Sequence, residues 1–368
     1  MKVLIIQNNI SQALEHLKAH QIKDYDKVIY TFCSEAKKQR REFHLQTYNF
    51  LKEKVSDIEL VNFNELSQIQ MTDGYFFGWN SFDEMLLIKE LGLKQGAQNR
   101  LLDNYDSSTI KTFTPFRKKV EKNLPSKFST NIYQATDTSL QNELNYFFYE
   151  NHLAKEYFDI RNGIIGRDYS TKLSQYLSSG RLNARFFYNY IGEYEQEHGE
   201  NKSTYWLKFE LLWREYFYWS YQKHQQKFFS LHGIDGFEKY DRDIPDLEFE
   251  VLFEKDPFMR AVCNELIETG FVSNRLRQVF ASSLINSYNI DWRIGAKFFE
   301  DHLIDYDVYS NWGNWQYLAG VGNDPRGLRV FNTIKQLRDY DPEFEYVKKW
   351  TKYSCEEEII KLLIKFYS

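Results

Sequence analysis

The chain has 368 residues, enough for about two domains and a large buried core. Hydrophobic residues make up 42% and charged ones 27%, which excludes a disordered chain. Lys plus Arg is 47 against 52 Asp plus Glu, a formal charge of -5, so any nucleic-acid site must be a local basic patch and not a charged coat. Cys33, Cys263 and Cys355 lie too far apart for a disulfide framework or a zinc site. No apolar run approaches the roughly 18 residues of a membrane span. The expectation is a cytoplasmic protein with no membrane or metal partner.

From the N-terminus, Val3–Ile6, Lys27–Phe32 and Ile58–Phe63 read as buried strands. Ser11–His20 and Glu35–Val55 read as the helices between them, an order that predicts a small parallel sheet. The first strand is followed by Gln7-Asn8-Asn9-Ile10, with no glycine, so a phosphate-cradling loop of the dinucleotide or P-loop kind is not expected. His16 and His20 have metal spacing but no third ligand and read as a solvated face. Asp73-Gly74 and Asp103-Asn104 are turn signals around a helix-like stretch at Asp83–Leu91. Phe113–Glu121 opens a short helix, and Pro125 marks a linker. From about residue 145 onward the apolar stripes have helical spacing. The expected fold is an incomplete parallel α/β domain over 1–110, a linker over 111–150, and a large all-helical domain over 151–368. Seven of the eight tryptophans fall between Trp206 and Trp350.

Several polar residues stand out against that apolar background. In STYWLKFELLWREYFYWSY, Trp206, Phe209, Glu210, Trp213 and Phe217 share one helix face. Glu210 must find a partner there. It is either half of an i,i+4 pair with Arg214 or an acid facing a pocket walled by Trp213. In GFVSNRLRQVFASSL, Ser273 can cap a helix that carries Asn274, Arg277 and Gln278 on one face, either as a solvated surface or as a site converging on Glu210. Asp305, Asp307, Asn311 and Asn314 lie among tryptophans, where buried polar groups need partners. Arg167-Asp168-Tyr169-Ser170-Thr171-Lys172-Leu173-Ser174 reads as a phosphate cradle or as an ordinary helix start.

Four stretches carry a pattern: RNGIIGRDYSTKLSQYLSSG, STYWLKFELLWREYF, TGFVSNRLRQVFASSL and DWRIGAKFFEDHLIDYDVYSNWGNWQYLAGVGNDPR. They resemble the photolyase/cryptochrome flavoproteins, and within them the DASH cryptochromes, from about Tyr157 to Trp350. The resemblance implies a helical domain holding FAD in a bent shape. Ser170, Thr171, Lys172, Leu173 and Ser174 match the diphosphate-binding run, Tyr157 an aromatic beside it, and Arg214 an arginine reaching the phosphates. Arg277 and Asp305 match an ion pair beside the flavin ring, Asp307 a ring-contacting acid, and Asn311 the residue facing N5.

The same resemblance implies a deoxyribodipyrimidine photolyase, a carbon–carbon lyase that splits cyclobutane pyrimidine dimers flipped out of DNA. Glu210 and Asn274 match residues that hold the pyrimidines and also border the cofactor. Trp213 matches the ring that stacks on the lesion, Gln278 follows the DASH pattern, and Tyr317 stands where some relatives carry a second Trp. Arg161, Lys172, Arg275, Arg326 and Arg329 would form the phosphate-binding patch. Trp315 and Trp292 match the proximal and middle members of the photoreduction chain. Its third position falls at Lys239-Tyr240, with Tyr240 as terminal donor or the chain leaving elsewhere.

The chain also departs from the family. The N-terminal part lacks the usual Phe-Arg-x-Asp-Leu-Arg run and is short, so no antenna pigment is expected. Glu254–Arg260 replaces a Thr-Gly-x-Pro stretch, with Lys255 and Arg260 at altered positions. No long signalling tail is expected after Trp350. The expectation is a monomer that repairs cyclobutane dimers in single-stranded or looped DNA. The alternative is a blue-light photoreceptor with little repair. Repair of the 6-4 lesion is disfavoured, because no His lies on the Asn274–Gln278 turn.

Overall fold

The computed structural model describes residues 1–32, 36–78, 88–129, 134, 136–235, 247–324, 328–353 and 355–367. Tyr240, Arg326, Cys33 and most of the helix-like stretch at Asp83–Leu91 lie outside them.

The N-terminal part is a five-stranded sheet in the order β3-β2-β1-β4-β5, with every pair parallel. The strands are β1 (Lys2–Ile6), β2 (Lys27–Phe32), β3 (Ile58–Asn62), β4 (Asp73–Phe77) and β5 (Lys94–Gln95). Alternation along the strands sends Leu4, Ile6, Val28 and Tyr30 into one apolar layer and Val3, Ile5, Ile29 and Phe76 into the other. Both faces of the central strands are therefore covered, which is why they read as unbroken apolar runs. The fourth strand corrects the sequence reading of Asp73-Gly74 as a turn. Gly74 pairs with Val3, and a Cβ at that position would lie 2.4 Å from the Val3 carbonyl oxygen. The glycine serves close strand approach rather than chain reversal.

The helical part shares one apolar cluster running from Leu101 to Leu363. Phe113, Phe116 and Val120 of the Phe113–Asn123 helix belong to it, as do Leu140, Leu144, Phe147 and Phe148. The stretch 111–150, expected as linker, thus contributes to the helical core. At the centre runs the helix Lys202–His224, started by a capping box in which Asn201 and Thr204 satisfy each other's backbone N–H groups. Ser273 caps Asn274–Asn286, Asp291 caps Trp292–His302, and Asp307 caps Val308–Ala319.

Asn99 joins the two parts. Its side-chain amide donates to the carbonyls of Leu177 (3.0 Å) and Leu182 (2.9 Å), and its oxygen accepts from the Ala184 N–H at 2.8 Å. Beside it Gly180, at φ 74°, lets the chain pass so close to Asn9 that a Cβ would meet the Asn9 Cα at 2.4 Å. His16 is not simply solvated: it hydrogen-bonds Tyr25 and packs against Tyr75 and Phe77. No helix among the described residues is long and apolar enough to cross a membrane, and no metal-holding cluster occurs among them.

Candidate functional site

The loop before the short helix Ser174–Ser179 turns at Lys172, which adopts φ 55°. The turn lets Ser170 Oγ accept from the Lys172 N–H and Thr171 Oγ1 from the Leu173 N–H, both at 3.2 Å. Both hydroxyls keep their O–H donors for another acceptor. Leu173 points inward and is buried. The Lys172 ammonium lies over Phe271, 3.9 Å from the ring centroid, and donates to the Tyr169 hydroxyl at 2.9 Å. Burial lowers its pKa to about 8.

Arg214 leaves the central helix toward this loop and does not pair with Glu210. It donates to the carbonyls of Asn99 and Leu177 and lies 3.4 Å from Asp307, whose carboxylate also meets Arg100 at 3.4 Å. Burial and the neighbouring Arg100 lower the Arg214 pKa to about 10. For Asp307 burial acts upward, yet Arg100 and Arg214 hold it below the usual carboxylate range. Arg100, Arg214, Asp307 and Tyr309 line a polar cleft with Asn8, Asn9 and Gln98. There the buried Arg100 Nε and Tyr309 hydroxyl have no hydrogen-bond partner among the described residues.

On the next side, Arg277 Nη2 bridges both oxygens of Asp305 at 2.9 and 3.0 Å, while its Nε donates to the Val272 carbonyl. The Asn311 amide nitrogen donates to the Ala296 carbonyl at 2.9 Å, which leaves its Oδ1 as an acceptor with no bond among the described residues. Trp315 is buried against Phe280 and Phe299, and a Cβ on Gly295 would clash with its ring. Trp292 donates to the Leu231 carbonyl and meets Trp312 edge to face, 5.6 Å between centroids. It makes no ring contact with Trp315 among the described residues.

The outer rim is built around Glu210. Trp206 Nε1 donates to its Oε1 at 3.1 Å, and Arg161 approaches the same oxygen at 3.6 Å, so Oε2 accepts no bond among the described residues. Over a third of the side chain reaches solvent, but the aromatic wall still raises its pKa by desolvation against the pull of Arg161. Tyr157, half-buried, has its own pKa raised by burial and by Glu210. Trp213 is stacked on Phe113 at 3.6 Å and 7° and meets Tyr317 edge-on at 5.5 Å. Asn274 is exposed and Gln278 half-buried, and neither side chain makes a hydrogen bond among the described residues.

The expected basic patch is largely committed. Arg161 faces Glu210, Arg275 donates to Asn162 at 2.8 Å, and Arg329 pairs with Asp324 at 2.8 Å and donates to Tyr317. Sequence reasoning missed Arg100, Phe113 and Glu215. Glu215 is 1% exposed and accepts the N–H groups of Leu101 and Leu102. Burial raises its pKa, against the attraction of Arg100. The signal was present: a second carboxylate in the aromatic run WREYFYW needs a partner as much as Glu210 does.

Residues 206–354 match the family model described as the FAD binding domain of DNA photolyase. A Cryptochrome DASH of Gloeobacter violaceus is 46% identical over 225 residues, 59% of this chain and 44% of that protein. A Cryptochrome DASH of Xenopus laevis is 48% identical over 214 residues, 56% and 40%. The chain therefore spans less than half the length of these curated relatives. A solved Synechocystis cryptochrome superposes with a TM-score of 0.73 at 31% identity, covering 95% of this chain and 88% of that one. The class III photolyase of Agrobacterium tumefaciens shares the fold, with a TM-score of 0.70 at 18% identity and coverage of 98% and 91%. The chain belongs to the photolyase/cryptochrome family, with the DASH cryptochromes among its relatives.

Proposed function

We propose that this protein binds FAD in the helical half and uses blue light to split cyclobutane pyrimidine dimers in single-stranded or looped DNA. The observation that carries the reading is Glu210: one oxygen is held by Trp206 and Arg161, while the other is unbonded among the described residues, one helical turn from Trp213. An acid fixed in that way presents an acceptor to a planar, hydrogen-bonding ligand stacked against an indole.

The inner residues fit the cofactor. The unpaired Arg100 Nε and Tyr309 hydroxyl line a cleft with Arg214, the setting an oxygen-rich ligand would satisfy. Ser170, Thr171 and Ser174 would offer hydroxyl donors to the diphosphate, with Arg214 as the countercharge. Arg277, fixed by Asp305, would lie beside the ring, and Asn311 Oδ1 would accept from N5–H. When bound and reduced, FAD supplies a light-excited electron donor for opening the cyclobutane ring. Asn274 and Gln278, whose amides are not engaged by the described residues, would complete recognition of the pyrimidine edges. Tyr317 would help close the pocket. Trp315 and Trp292 would pass electrons to the oxidised cofactor.

A division into an N-terminal α/β part and a helical part that takes in 111–150, the monomeric state, the cytoplasmic location and the lack of an antenna pigment belong to the same reading. The photoreceptor alternative rests on the altered segment Glu254–Arg260 and the unusual N-terminal domain. In the fold that segment is tied into the helical part, with the Glu254 carbonyl accepting the Tyr353 hydroxyl at 3.0 Å. Asp256 caps the Pro257–Thr269 helix, accepting from the Phe258 and Met259 N–H groups, and receives the Tyr288 hydroxyl at 2.9 Å. Repair is the function proposed. It is tested by illuminating the reduced protein with dimer-containing oligonucleotides. Loss of dimer in single strand or loop is expected, and undiminished dimer with a light-dependent partner complex would replace repair with signalling.

A further inference from the structure

A second oxidisable cluster is built around Trp312. Glu300 Oε2 accepts the Tyr306 hydroxyl at 2.6 Å and the Trp312 indole N–H at 3.0 Å, so two redox-active side chains share one carboxylate oxygen. Trp312 and Tyr306 are 3% and 4% exposed. Trp312 is in edge-to-face contact with Trp292, and beyond it with Phe229 at 5.1 Å. Arg40, from the N-terminal helix Lys38–Lys52, lies over the Tyr306 ring at 4.5 Å and donates to the Glu300 carbonyl.

We propose that Tyr306 is a terminal electron donor of the photoreduction chain, reached through Trp292 and Trp312, and that Glu300 takes up the tyrosine's proton as the electron leaves. The inference rests on the flavin reading above, because the oxidant it names is photo-excited oxidised flavin. The balance is simple. The flavin gains one electron, and the resulting vacancy settles on the Trp292–Trp312 pair. Tyr306 then gives one electron to the Trp312 cation. The phenolic O–H bond breaks, a new O–H bond forms at Glu300 Oε2, and the carboxylate becomes a carboxylic acid. The products are a neutral tyrosyl radical and a restored tryptophan.

Two electrostatic features agree with this geometry. Burial and Glu300 push the Tyr306 phenol well above its usual pKa, so it cannot ionise beforehand and must release its proton together with the electron. Glu300 is raised to about 7 by burial, with Tyr306 and Arg40 pulling it back and Asp301 adding to the rise. Among the described residues those are the charged and titratable groups that act on it, and Asp301 is itself paired with Lys297 at 2.9 Å. Only the ionised carboxylate can accept the proton. The tyrosyl yield should therefore rise as pH rises through about 7, and Glu300→Gln, with no carboxylate to take the proton, should leave no tyrosyl signal at any pH.

The experiment is a blue flash on oxidised, flavin-loaded protein, followed by electron paramagnetic resonance and light-minus-dark infrared difference spectra. Wild type should give a tyrosyl signal together with the C=O band of a newly protonated carboxyl. Tyr306→Phe should lose both and leave tryptophan radicals, and Glu300→Gln should do the same while the flavin spectrum certifies the fold. A coloured wild type that yields tryptophan radicals alone overturns this inference only, as does a tyrosyl signal that survives Tyr306→Phe. A protein that takes up no flavin overturns the flavin reading itself.

Discussion

Arg277, on the Asn274–Asn286 helix, and Asp305, just beyond the Trp292–His302 helix, are locked together with one guanidinium nitrogen 2.9 and 3.0 Å from the two carboxylate oxygens. Asp305 is almost wholly buried, so the pair depends on its geometry being complete. Arg277→Ala should strand a buried carboxylate. We expect a stability loss of about 3–5 kcal/mol in urea unfolding and loss of flavin from the purified protein. Unchanged stability would mean that Asp305 finds another cation.

Glu210→Ala should leave flavin content unchanged, because its hydrogen bond goes to Trp206 at the rim and not to the inner cleft. Hydrogen bonds to charged groups are worth about 1.5–3 kcal/mol. Affinity for a dimer-containing oligonucleotide, measured by fluorescence anisotropy, should fall roughly 10- to 100-fold, with repair reduced in parallel. Equal binding by variant and wild type would remove Glu210 from lesion recognition.

Trp315→Phe should abolish photoreduction of oxidised flavin, followed by absorption under blue light, while chemically reduced protein still repairs. The smaller ring also opens space beside Gly295, so a modest fall in melting temperature is expected. Photoreduction at the wild-type rate would show that electrons bypass this indole.

Glu265 gives a pH signature. Burial raises its pKa from 4.5 to about 7, against the hydrogen bond from the Tyr346 hydroxyl at 2.6 Å. A carboxyl raised in the folded state binds its proton more tightly there than in the unfolded chain. Its contribution is therefore full below about 4.5 and is lost as pH rises through about 7. Glu300 acts in the same direction over the same window. The urea midpoint should fall across it, and Glu265→Gln should flatten the fall by at most about 3 kcal/mol. A steeper fall in the variant would contradict the assignment.

The pattern of apolar runs made the parallel sheet legible, because strands covered on both faces have no polar alternation to hide. Val3–Ile6 and Lys27–Phe32 could be read as they stand. The strand at Asp73 was hidden by a glycine that serves close packing and mimics a turn. In the helical half, Ser273 as a cap and the Arg277–Asp305 pair were visible through local chemistry and resemblance. Arg214 was legible only in part. The i,i+4 rule placed it against Glu210, whereas Asp307 and the carbonyls of Asn99 and Leu177, all distant in sequence, draw it inward. Arg100 and the Glu300–Tyr306–Trp312 cluster were illegible for the same reason. Their meaning comes from neighbours that only the tertiary fold supplies.

The most direct measurement of the central claim is the absorption spectrum of the purified protein, before and after incubation with FAD. Bound-flavin bands that stay with the protein through gel filtration are the predicted result. A polypeptide that is folded by circular dichroism yet remains colourless after reconstitution would contradict it.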